Sequence, residues 1–136
     1  MSASDGITFT PWPHATMPGF SLPALEAAKC AAKQGEEVFE RVHRALFEAY
    51  FTRSLDISDA AVLARVVGEA GGDVARLEAD LAAGFARQAV MADYEAAVTE
   101  HHVRAIPTVI LPETGRALVG LADLATYRAA IEEAAG

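Results

Sequence analysis

The stretch "HHVRAIPTVILPETGRALVG", residues 101–120, decides the fold, because the hydrophobic period changes inside it. Before it, apolar residues recur at three- and four-residue spacing, the pattern of helices that bury one face. From Ile106 the β-branched run "IPTVIL" takes over, "PETG" turns the chain and "RALVG" runs back. The spacing predicts strands at Thr108–Leu111 and Arg116–Val119 joined as a β-hairpin. The closing "LADLATYRAAIEEAAG" predicts an amphipathic helix with Leu124, Tyr127, Ala130 and Ile131 inward.

Working back towards the N-terminus, a helix is expected from about Phe85 to His102, with Val90, Tyr94, Ala97, Val98 and His101 near one side. A shorter helical pair precedes it. Ser58 is the expected cap of the first, which points Val62, Leu63, Val66, Val67 and Ala70 inward until Gly71 and Gly72 stop it. Asp73 caps the second, with Val74, Leu77 and Leu81 inward and Gly84 at its end. "EEVFERVHRALFEAYFTR" carries the strongest helical pattern, with Phe39, Val42, Leu46, Phe47, Tyr50 and Phe51 as its apolar set and Glu36 and Glu37 at its positive end. A helix over 22–34 opens with Ser21 as N-cap and Pro23 in its first turn, and Gly35 closes it. Residues 1–20 read as an irregular lead-in, with Ile7, Phe9, Trp12 and Phe20 as anchors and a short strand at Ile7–Thr10.

Bulk properties exclude several functions. A chain of 136 residues with 52% hydrophobic content and mean hydropathy +0.20 suits one folded core. Its net charge of −8 repels phosphate backbones and anionic lipid, so neither nucleic acid nor membrane is an expected partner. The first twenty residues lack a basic region and an unbroken apolar run, and Pro11, Pro13 and Pro18 interrupt them, so a cytoplasmic location is expected. The single cysteine, Cys30, allows no internal disulfide, which suits a reducing compartment. Four scattered histidines and one cysteine give no metal-ligand spacing, and no metal or cofactor is expected. "GEAGGD" lacks the preceding strand and the Lys-Ser/Thr ending of a phosphate loop and reads as a turn between helices.

Individual residues have plain readings. Cys30, among alanines on an amphipathic helix, is expected to be a small buried hydrophobe. His43 is expected to be partly buried and hydrogen-bonded, and Trp12 to anchor the lead-in. His101, His102 and Arg104 suit the negative end of a helix, with contact to an anionic substrate as the alternative.

Three segments, "LPALEAAKCAAKQGEEVFERVHRALFEAYF", "LDISDAAVLARVVGEAGGDVARLEADL" and "AVMADYEAAVTEHHVRAIPTVIL", together resemble the DsbA family, particularly its FrnE-like branch. The order and spacing of "ALF-x-AYF", "DISD", "VMADYEAAV" and Pro107 carry the resemblance, which covers roughly residues 20–135. It implies an α+β, predominantly helical, partial thioredoxin-like (DsbA-like) fold: a helical insertion followed by a β-hairpin and a C-terminal helix. A single domain, 1–136, is expected, comprising the lead-in 1–20, a helical subdomain 21–103 and a thioredoxin-like part 104–136.

By the same resemblance, Pro107 is cis and forms with Ile106 the loop that faces the family's catalytic cysteines. Ile106, Pro107, Thr108 and Arg104 would then contact substrate. The family's strand, C-x-x-C motif and helix are missing, so no catalytic set is complete and the chain by itself is expected to be redox-inactive. Three readings remain open: an oxidoreductase-family domain that is truncated or naturally short, a non-enzymatic peptide-binding or assembly module, or a relative of glutathione-dependent isomerases and transferases. The implied partners are a protein thiol, disulfide or peptide, with glutathione in the third reading. The apolar strand "TVIL" would leave an edge to cover, so a homodimer or higher oligomer is expected.

Overall fold

The computed structural model describes residue 6 and residues 8–136. Six helices and one hairpin follow in order: α1 (Leu22–Gln34), α2 (Glu36–Phe51), α3 (Ala60–Glu69), α4 (Val74–Ala83), α5 (Phe85–Thr99), β1 (Thr108–Leu111), β2 (Arg116–Val119) and α6 (Leu124–Ala135). The architecture is predominantly helical α+β. The described residues divide into two compact units, the first ending at Asp93 and the second spanning Tyr94–Gly136.

The first unit is a helical cluster. α1 packs against α2, α3 and α4, and α3 packs against both α2 and α4. Its core joins Ala27, Cys30 and Ala31 of α1, Val42, Leu46 and Ala49 of α2, Leu63, Val66 and Val67 of α3, and Leu77 of α4. The alanines let the helix axes approach, and each fully buried valine or leucine contributes about 1.5–3 kcal/mol. Gly35, at φ 133°, ends α1 and starts α2, so one residue makes the whole connection. Asp73 accepts from the Arg76 N–H to start α4, and Gly84 ends it in the left-handed conformation at φ 78°.

Several expectations for this unit are corrected. Ser21 occupies the N-cap position of α1 but makes no side-chain capping bond. Asp59, not Ser58, caps α3 by accepting from Ala61 and Val62; Ser58 instead donates to Asp56. A carboxylate one residue nearer the helix reaches its first amides, and the serine completes a local turn. Phe47 and Phe51 do not enter the core, because the smaller Val42, Leu46 and Ala49 take the buried face of α2. Thr8–Thr10 form no strand, and Ile7 lies outside the described residues. The lead-in is tied to the C-terminal end of α2 instead: the Thr10 N–H donates to Phe51 O at 2.8 Å, and the Thr52 hydroxyl donates to Thr8 O at 2.6 Å.

The second unit contains the end of α5, the hairpin and α6. β1 and β2 pair antiparallel with Thr108 opposite Val119 and Leu111 opposite Arg116, and α6 packs on β1. Asp123 caps α6 by accepting from the Thr126 N–H at 2.8 Å. α5 ends at Thr99, not His102, and His102 adopts φ 53°. The face assigned to the core of α5 is largely exposed, with Tyr94 66% accessible, and in α6 Leu124 and Ile131 are exposed while Ala130 is buried. The helical period located these apolar stripes. In the second unit they meet too little partner surface to be covered.

Candidate functional site

The hairpin base presents the loop that the sequence singled out. The Ile106–Pro107 peptide bond is cis, and Ile106 is 91% exposed. Two contacts shape the loop: the Gly120 N–H donates to Pro107 O at 2.8 Å, and the Thr108 hydroxyl donates to Ala105 O at 2.6 Å. The Pro107 carbonyl is therefore committed to the hairpin, and proline has no N–H. None of the hydrogen bonds among the described residues uses the backbone of Ile106. Among the described residues, the backbone N–H and C=O of Ile106 thus remain unpaired in the loop, while the Pro107 carbonyl is paired.

Ile106, Pro107 and Thr108 are contiguous at this loop, with Arg104 two residues before it. Arg104 is exposed and enters none of the ion pairs among the described residues. His101 and His102 are exposed just beyond the end of α5. β1 pairs with β2 on one side only in this two-stranded sheet, so its other edge is unpaired within the unit.

Cys30 lies in the first unit, on the buried face of α1, with no accessible surface. Its thiol is pushed up to about 11, first by burial, then by the carboxylates of Asp80 and Glu26, with Lys33 acting in the opposite sense. Those carboxylates are nearly buried themselves. Arg87 donates to Glu26 at 3.0 Å and Lys33 to Asp80 at 2.8 Å. At pH 7 a thiol near 11 is ionised in about one molecule in ten thousand. Cys30 has the environment of a structural thiol, the reverse of the positive setting that activates a nucleophile.

A concavity that the sequence reading missed lies between α1 and α2. It is an open depression of about 370 Å³, lined by Pro18, Phe20, Leu25, Phe47, Tyr50 and Phe51, among others. His43, expected to be partly buried, is exposed on this side. Its ring sits 5.3 Å from Phe39 and 5.1 Å from Phe47, completing a row of rings along α2. The signal was present as the spacing Phe39, His43, Phe47, Phe51, four residues apart, but helical periodicity cannot tell a stripe that faces a core from one that faces a groove. No group of His, Cys, Asp and Glu among the described residues can hold a metal ion, and no described helix is long and apolar enough to cross a membrane.

A helical cluster followed by a β-hairpin and a C-terminal helix is the element order expected of a partial thioredoxin-like fold. The chain belongs to the DSBA-like thioredoxin domain family, whose model matches residues 2–132. No curated protein matches the sequence. The chain departs from a working disulfide oxidoreductase in holding one cysteine, so a C-x-x-C pair cannot form within it.

Proposed function

We propose that this chain is a FrnE-like member of its family that positions an extended peptide at the Ile106–Pro107 loop and performs no thiol–disulfide exchange of its own. The burial of Cys30 carries this reading. Exchange needs an accessible thiolate and a second thiol to resolve the mixed disulfide, and the one thiol present is neither accessible nor ionised at neutral pH. The open edge of β1 and the uncommitted backbone of Ile106 suit strand addition by a peptide or by a second copy of the chain. A homodimer paired through this edge is the assembly that fits it. The location consistent with a lone, buried thiol is the cytoplasm.

The test has two arms. In an insulin-reduction assay with dithiothreitol the chain should not accelerate precipitation above the reductant alone, and a clear acceleration would overturn the reading. Titration of the isotope-labelled chain with a disulfide-containing peptide should shift the amides of residues 104–111 reversibly, without a mixed disulfide in the mass spectrum. Shifts spread elsewhere, with that stretch unmoved, would refute peptide positioning by this loop. Glutathione added in the same experiment separates the transferase-like reading, since saturable binding of glutathione would favour it.

A further inference from the structure

We propose that the concavity between α1 and α2 is a binding site for a small uncharged aromatic molecule carrying one hydrogen-bonding group. The charge of the ligand follows from the lining. In a chain of net charge −8, no Asp, Glu, Lys or Arg lines this space. An ion drawn into it would lose hydration without gaining a counter-charge.

The ring system follows from the walls. Phe20, Phe47, Tyr50 and Phe51 all line the space, and Phe47 and Phe51 stack at 6.1 Å. Aromatic rings in contact with such walls gain edge and offset packing beyond simple burial. The size follows from about 370 Å³, near the lower end of the ~300–1,000 Å³ spanned by small-molecule sites. A space of that volume takes a single fused-ring ligand.

The hydrogen-bonding group follows from the polar residues at the wall. Ser21 lines the space, and its side chain makes no capping bond despite its N-cap position, which leaves the hydroxyl for a ligand. His43 and Tyr50 add a ring nitrogen and a phenol.

The lead-in is anchored beside the space. Phe9 packs on Phe51 at 5.4 Å, Trp12 on Tyr50 at 5.5 Å, and the His14 ring is 3.0 Å from Ser54 O. These ties fix residues 9–14, a few residues before the Pro18 and Phe20 that line the space.

Trp12 is the single tryptophan and touches a wall residue, so it reports on the site. The probe is N-phenyl-1-naphthylamine, a neutral aromatic amine. It should bind saturably at one site per chain, brighten, and quench Trp12 by energy transfer. Its anionic counterpart, 8-anilinonaphthalene-1-sulfonate, should bind more weakly.

Ala28→Phe fills the space from α1, and Phe47→Lys, at a half-exposed position, places a charge in the wall without opening the core. Either should weaken the neutral probe about tenfold or more, equivalent to about 1.4 kcal/mol. If Ala28→Phe does not fold, Phe47→Lys alone decides. Non-saturable binding, equal affinity for the sulfonate, affinity unchanged by substitution, or a site lost as protein concentration rises would each overturn the proposal. The last outcome would assign the surface to self-association.

Discussion

The reactivity of Cys30 offers a quantitative test of the helical core. An ordinary thiol at 9.0 is roughly one-tenth ionised at pH 8, whereas one near 11 is roughly one-thousandth ionised. Ionisation alone therefore slows attack on a disulfide reagent about a hundredfold. Burial adds a second factor, since Cys30 has no accessible surface and α1 must open before a reagent enters. The assay compares the rate with 5,5′-dithiobis(2-nitrobenzoate) at pH 8 in native buffer and in urea. The native rate should be lower by more than about a hundredfold. A native rate within a few-fold of the unfolded one would refute both the burial of Cys30 and the absence of redox chemistry inferred from it. Linkage gives a companion result. Because folding raises this thiol, its stabilising contribution is complete below 9.0 and is lost as pH rises from there through about 11. Wild type should therefore lose stability over that window relative to Cys30→Ala, and a difference of opposite sign would contradict the assignment.

Other perturbations probe the fold at separate points. Leu77→Ala removes a side chain that is 1% exposed at the centre of the first unit and should cost about 2–5 kcal/mol by urea denaturation; a loss below about 1 kcal/mol would mean that the α4 contact is loose. Gly72→Ala places a Cβ 2.6 Å from Val67 Cγ1 and 3.1 Å from Val67 O, and since Val67 is fully buried the turn between α3 and α4 must shift. That should cost about 1–3 kcal/mol, and a neutral substitution would show that the close approach is absent. The bond to Thr126 holds the Asp123 carboxyl below the usual carboxylate range, so the cap on α6 is intact above that range and weakens as pH falls through the lowered value. Amide shifts at the start of α6 should follow this acid titration and should not in Asp123→Asn, whose side-chain oxygen still accepts but does not ionise.

The elements were legible in the sequence wherever local chemistry specified them. α1 opens at Leu22 beside Pro23 and closes at Gly35, and both strands fall at their expected residues because "PETG" fixes the turn between β-branched and apolar runs. Cys30 was readable as a core residue from the alanines around it. Which apolar face would be covered was not readable. Phe47, Tyr94, Leu124 and Ile131 obey helical spacing as well as Leu46 or Val66 do, yet they remain exposed. Periodicity reports the direction of a side chain, whereas burial depends on which element stands opposite. The Ile106–Pro107 loop was found through family resemblance. That Ile106, and not Pro107, keeps its backbone uncommitted followed only from the Gly120 bond.

The distribution of burial sets a hierarchy of opening. In the second unit, Leu111 and Ala130 are the only buried residues among those described, against the cluster shared by five helices in the first. Amide hydrogen exchange should therefore proceed in two classes. The amides of β1, β2 and α6 would exchange through low-energy, sub-global excursions that leave α1–α4 closed, while those beside Val42, Val66 and Leu77 would wait for cooperative unfolding. The loop proposed to receive a peptide thus belongs to the part of the chain with least resistance to rearrangement, and a bound strand would be read as slowed exchange along β1.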